Sequence, residues 1–299
     1  MTIGRRGFLM AGSAVAGAGL LPAIEAHAAP MAGGRSVTEF GVVPNGEADQ
    51  TKALQKAIGE IAAAGEAVRI PGGTYRTAAL ELPQACAILG IPHQTRLLGE
   101  ADGPILRAPE NASLYLSGLA FEGDAIAASG AETTISFVTV RNAKGAAIAF
   151  ARARAITVGN CLFEQCARAA IEIATDPAAP MGAIITGNQI AGCAIGISLS
   201  GSGNVNGNLV TGASAFGLRL GQNADSGAIS ATGNTLRDCA TGIGVTAGGE
   251  TILAALNLIT GARNGAIRAF DGDRLVGPDL ALESAEAYLN LTVVGNVAR

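Results

Sequence analysis

One phrase recurs through the second half of the chain: an apolar-x-apolar triplet, Gly-Asn, a short apolar pair, a small residue, then Gly-apolar-x-apolar. Gly-Asn stands at Gly159-Asn160, Gly187-Asn188, Gly207-Asn208, Gly233-Asn234 and Gly295-Asn296, with Leu256-Asn257 as a variant. These asparagines are 28, 20, 26, 23 and 39 residues apart, and the last gap divides into 21 and 18 if Gly277-Pro278 fills the same turn. A period of 20–28 residues with apolar side chains at every second position marks a solenoid. Leucine-rich repeats share the period but need a leucine framework and a helix in each repeat, and neither is present. Each repeat therefore reads as three short strands and three turns, wound into a single-stranded right-handed parallel β-helix.

The stacking physics sorts the repeat positions. Triplets such as Ile171-Glu172-Ile173, Ile197-Ser198-Leu199, Leu218-Arg219-Leu220 and Ile243-Gly244-Val245 send their outer members inward and the middle one to solvent. Coils rise by about 4.8 Å, so equivalent residues form columns. Asparagine tolerates the left-handed bend of a sharp turn, and its amide can donate to one coil and accept from another as a ladder. Cys166, Cys193, Ala213, Cys239 and Ala262 fall at one small-residue position, where thiol and methyl interchange. Free buried thiols are the expectation there, with a Cys166–Cys193 bridge between vertical neighbours as the alternative.

Composition removes several function classes. The chain has 299 residues, 42 glycines, no tryptophan, three tyrosines and a net charge of −4, and only three lysines (Lys52, Lys56, Lys144). A nucleic-acid binder needs basic charge and stacking platforms, so that class is excluded. Beyond residue 27 the one histidine is His93, and the five cysteines contain no C-x-x-C pair. Histidine-based zinc or haem sites therefore lack ligands, and no G-x-G-x-x-G marks a dinucleotide. No cofactor is expected, apart from Ca²⁺ discussed below.

The N-terminus carries an address. Arg5-Arg6 precedes Phe8-Leu9, an Ala/Gly-rich apolar stretch runs from Ala11 to Leu21, and Ala26-His27-Ala28 gives a small-residue cleavage pattern. This resembles a twin-arginine signal over residues 1–28, read by the twin-arginine translocase, with a Sec signal or an uncleaved anchor as alternatives. No stretch is apolar for long enough to span a bilayer comfortably. The expectation is a periplasmic or secreted protein starting near Ala29, with no stable membrane insertion after cleavage.

A distinct N-terminal segment occupies residues 29–66. Leu54, Ala57, Ile58 and Ile61 share one helical face, Asp49 is placed as the N-cap, and Gly65 suits the stop, which predicts a helix over Asp49–Ala64. An amphipathic helix there caps the exposed strand edges of a solenoid running from residue 67 to 299. Val68-Arg69-Ile70-Pro71-Gly72-Gly73-Thr74-Tyr75 then reads as a strand ending in a Pro-Gly turn. The stretch from Phe40 to Tyr75 resembles the opening motif of the pectate-lyase-like superfamily of right-handed β-helix proteins. With the leader and repeat, the whole chain is similar to the twin-arginine-translocated β-helix repeat proteins of bacteria. Many members of the superfamily cleave or bind polysaccharides along the face formed by the first strand of each coil. The hydrolase motifs of that superfamily (Asn-Thr-Asp, paired Asp, Gly-His-Gly, Arg-Ile-Lys) do not occur, and Arg107-Ala108-Pro109 is too short a match to the lyases. His93, alone in Ile91-Pro92-His93-Gln94, reads as a turn residue.

The outward column of the first strand is expected to read Ala149, Glu172, Ser198, Arg219, Gly244, Arg268, Asn290. Arg219 and Arg268, two coils apart, suit carboxylates of a uronate chain through forked hydrogen bonds, with Ser198 and Asn290 as further binding residues. Glu172 is the candidate acid or base. Asp176, Asp225, Asp271, Asp273 and Arg274 form a rim in which Asp271 and Asp273 could hold Ca²⁺. The expected function is engagement of an acidic cell-envelope or extracellular polysaccharide. A polysaccharide lyase or hydrolase and a non-catalytic assembly module are the alternatives, the latter self-associating through an uncapped C-terminal coil.

Overall fold

The computed structural model describes residues 34–299, apart from 101, 180, 223–226, 273, 284, 286 and 287. The leader and the start expected at Ala29 lie outside the described residues. Each turn of the chain lays one strand into each of three sheets. In one turn Ile148–Ala153 joins sheet 1, Ala155–Gly159 joins sheet 2 and Leu162–Glu164 joins sheet 3. The next turn repeats the order with Ala169–Thr175, Ala183–Thr186 and Gln189–Ala191, each parallel to its predecessor. The result is a parallel β-solenoid whose sheets hold 10, 11 and 10 strands. Sheet 2 begins early, because Arg35–Ser36 pairs with Val68–Arg69.

The core is a stack of aliphatic columns. Ile148, Ile171, Ile197, Leu218, Ile243 and Ile267 lie in register along sheet 1, and all are fully buried. Such thin layers explain how the chain folds without tryptophan: each inward position meets its own kind one coil above and below.

The corner between sheets 2 and 3 makes the ladder. Gly187, Gly207, Gly233 and Gly295 adopt φ of 62–65°, and the next residue turns its amide into the barrel. Nδ2 of Asn188, Asn208, Asn234 and Asn257 donates to Oδ1 of the following asparagine at 3.0, 3.0, 2.9 and 2.9 Å, ending on Asn296. Each Nδ2 also donates to a carbonyl, that of Val158, Ile185, Val205 and Ala231 in turn. Asn160 is not a rung, although the sequence pattern placed it there. Gly159 pairs with Thr186, which sets Asn160 beside Gly187 in the bend and leaves Cys161 to receive the ladder, its N–H donating to Asn188 Oδ1 at 3.0 Å. Asn160 takes the bend because it tolerates φ of 55°.

The cysteine column holds: Cys166, Cys193, Ala213 and Cys239 are all buried, and all five thiols are free. Gly277-Pro278 does not open a further coil. It lies in Arg274–Asp279, which turns back antiparallel onto Ile267–Asp271, so the 39-residue gap holds a hairpin. The last parallel strand of sheet 1 is thereby paired on both sides.

The helix spans Thr51–Ala63 and buries Leu54, Ala57, Ile58 and Ile61. Asp49 does act at its start, accepting from the Thr51 N–H at 2.9 Å, one position ahead of the formal cap. Gln55 exchanges two hydrogen bonds with the backbone of Glu81, on the first strand of sheet 1, at 2.7 and 2.8 Å.

Candidate functional site

The register of sheet 1 builds the column from the chain upward. Ala149 pairs with Glu172, Glu172 with Ser198, Ser198 with Arg219, Arg219 with Gly244 and Gly244 with Arg268. Six of the seven positions read from sequence therefore share one line on the outer face. Asn290 does not. It lies in the loop before Leu291–Val294 of sheet 2, and its Nδ2 donates to the carbonyls of Glu250 and Thr246 at 2.9 and 3.3 Å. The position beyond Arg268 belongs to Asp279 of the antiparallel strand. The hairpin displaced the repeat, so the periodic count overran the sheet.

The two arginines are built into their surroundings. Arg219 extends over an aromatic pair: its guanidinium carbon lies 4.9 Å from the Phe270 ring centre and 5.7 Å from that of Phe216. The rings themselves are 5.9 Å apart and tilted by 54°. They close over Gly244, where a Cβ would come within 2.6 Å of Phe216, so only glycine fits beneath them. Nη2 of Arg219 donates to the Gly272 carbonyl at 2.9 Å. Arg268 donates from Nη1 to the Asn264 carbonyl and from Nη2 to that of Gly277, both at 2.8 Å. Both side chains thus fasten the hairpin and its preceding loop to the sheet while keeping positive charge on its outer face. The aromatic pair was missed in the sequence, where eight phenylalanines gave no periodic signal.

At the other end Glu172 faces Arg168, 3.3 Å away, with 37% of its side chain exposed. Ser198 is buried, and its Oγ accepts from Gln222 Nε2 at 2.5 Å. Among the rim residues, Asp176 folds back to accept from the Ala178 N–H at 2.9 Å, and Asp271 sits opposite Arg274 at the hairpin tip. Asp225 and Asp273 lie outside the described residues. No three His, Cys, Asp or Glu side chains converge among the described residues. His93 is exposed on the turn between sheets 2 and 3, its Nδ1 3.4 Å from Thr139 Oγ1, away from the column.

Sequence reasoning also missed Glu250. This carboxyl is fully buried at the corner after sheet 1 and accepts from the N–H groups of Gly201 at 3.1 Å and Gln222 at 3.3 Å. It joins corners from three successive coils, a role that only the stacking reveals.

Residues 124–280 match the family described as the right handed beta helix region. The chain belongs to that family. Among solved structures this β-helix is similar to the A-module of the mannuronan C-5 epimerase AlgE6 of Azotobacter vinelandii, with 18% identity, 88% of this chain and 86% of the other covered, and a TM-score of 0.62. It is also similar to PfbA, a surface adhesin of Streptococcus pneumoniae, with 12% identity, 89% and 79% coverage, and a TM-score of 0.51. At these identities the likeness speaks for the fold alone. No curated protein matches the sequence. The right-handed β-helix that the resemblance implied is thereby borne out.

Proposed function

We propose that this β-helix protein is exported and binds an anionic polysaccharide along the outer face of sheet 1. The observation that carries the reading is the in-register run Glu172, Ser198, Arg219, Gly244, Arg268. It sets two guanidinium groups two coils apart, about 9.6 Å by the coil rise, with the Phe216–Phe270 pair filling the space over Gly244 between them. A linear polyanion laid along the axis meets both charges. The names of the two structural relatives, a mannuronan epimerase and a surface adhesin, agree with a polysaccharide or cell-surface role on this fold. Binding is preferred to cleavage because the run from Ala127 to Arg268 holds one carboxylate, Glu172, whereas glycoside hydrolysis ordinarily uses two flanking the bond. The helix at Thr51–Ala63 is read as the cap of the first coil, on the strength of its bonds to Glu81.

The binding test is a panel of anionic and neutral glycans. Arg219→Ala and Arg268→Ala should each weaken binding of a polyuronate such as alginate by about tenfold, a typical loss for a charge-assisted bond. Arg237→Ala, exposed on sheet 3, should not. Melting curves of the two sheet-1 variants separate lost binding from a loosened hairpin, and equal losses in all three variants defeat the reading. Export is tested by Arg5→Lys with Arg6→Lys, which should leave unprocessed precursor in the cytoplasm. Normal processing of that double variant would identify an ordinary Sec signal.

A further inference from the structure

Sheet 2 presents a different chemistry to solvent. Its outward column from Tyr115 to Thr292, and the neighbouring one from Ser117 to Val294, contain no Asp, Glu, Lys or Arg. Sheet 1 carries Glu172, Arg219 and Arg268 outward, and sheet 3 carries Glu122, Arg141 and Glu164. Sheet 2 carries Glu132 outward in an earlier coil, paired with Arg154, and in the later coils a groove of about 500 Å³ crosses four strands. Its floor is an in-register line of Ile184, Asn204, Ser230 and Leu253, with Met181 and Thr251 alongside. None of its described lining residues is charged, and Asn204 and Ser230 make no side-chain hydrogen bond among the described residues.

We infer that this groove is a second binding site, which takes an uncharged glycan chain extended along the solenoid axis. Three features select that occupant. The absence of charge matches a neutral chain and gives a polyanion nothing to pair with. The four floor positions, stepping by about 4.8 Å, alternate an apolar end, two hydrogen-bonding groups and a second apolar end. Ile184 and Leu253 can pack under the C–H faces of sugar rings while the Asn204 amide and the Ser230 hydroxyl bond to ring hydroxyls. An extended peptide fits less well. The strands beneath are all paired within sheet 2, so the face offers no backbone edge for a peptide to extend. A sugar hydroxyl turns to suit whichever partner it finds. The site is independent of the sheet-1 face, and either can fail without the other.

The test is titration of the purified protein with a soluble neutral β-glucan and with dextran, followed by calorimetry. Binding of at least one is expected, and Ser230→Arg, which fills and charges the groove, should reduce it at least about tenfold. Asn204→Ala, a milder change, should reduce it by a smaller factor with the melting temperature unchanged. Thr211→Arg places the same charge on sheet 3 and should leave binding intact. The proposal is overturned by failure of both glucans to bind, or by an equal loss in Thr211→Arg. It is equally overturned if Ser230→Arg abolishes a concentration-dependent dimer in sedimentation and leaves glucan binding untouched, which would make the groove a self-association surface.

Discussion

At the scale of single residues, a shift of one position separates a structural asparagine from an incidental one. Asn234 lies inside the barrel, where its amide donates to Asn257 Oδ1 at 2.9 Å and the Val205 carbonyl at 2.8 Å. Its Oδ1 in turn accepts from both the backbone and the side chain of Asn208, each at 3.0 Å. Removing it leaves several buried polar groups unmet, each costing about 1–3 kcal/mol. Asn234→Ala should therefore lower the unfolding free energy by at least about 3 kcal/mol, whereas Asn160→Gly, in the bend, should change it by less than about 1 kcal/mol. Denaturant melts of the two variants decide the matter, and similar losses would return Asn160 to the ladder. The Gly-Asn dipeptide was legible in the sequence. Which of two adjacent residues faces inward was not, because that depends on the pairing of Gly159 with Thr186.

At the scale of elements, the hairpin of Ile267–Asp271 and Arg274–Asp279 finishes sheet 1. Asp279 anchors it, its carboxylate accepting from the N–H groups of Ala266 at 2.7 Å and of Ile267 and Ala281 at 3.0 Å. Asp279→Ala leaves the nearly buried N–H groups of Ala266 and Ile267 without their acceptor and loosens the returning strand. We expect a loss of more than about 2 kcal/mol and increased self-association through the uncovered edge. Light scattering across a concentration series reads the second effect, and a monodisperse variant would show that the strand stays docked without its anchor. The sequence reading counted Gly277-Pro278 as a solenoid turn and so placed a further coil where the hairpin lies. Gly277-Pro278 instead lies within the returning strand, and only tertiary pairing tells a solenoid corner from a hairpin strand.

At the scale of the whole molecule, the barrel is sealed tightly enough to silence the thiols of Cys86 and Cys161. Burial pushes Cys86 up to about 12 and Cys161 up to about 11, since a thiolate in an apolar interior loses its hydration. In the unfolded chain a thiol titrates near 8.5. Below that pH both states hold the proton and these groups leave stability unchanged. Above it the unfolded chain releases protons that the folded chain keeps, so stability falls as pH rises from about 8.5 towards 11–12. Urea melts at pH 7.5 and 10 should show that fall, and Cys86→Ala should remove part of it. An identical pH dependence in the variant would assign the alkaline loss to other groups, Tyr75 among them, whose hydroxyl burial also shifts upward.

What the sequence determined by itself is the repeating part: three sheets, inward aliphatic columns, the cysteine column and the line from Ala149 to Arg268. Those features depend on alternation and period, and both are local properties of the chain. The tertiary structure alone decided where repetition breaks. Asn290 left the column because the hairpin used up the residues of a coil, and Glu250 became a corner clasp because three coils meet there. The arginines acquired backbone partners only where the fold brings the carbonyls of Asn264, Gly272 and Gly277 against them. Groups that meet through stacking are separated in sequence by whole coils of variable length, and no fixed spacing in the chain records their encounter.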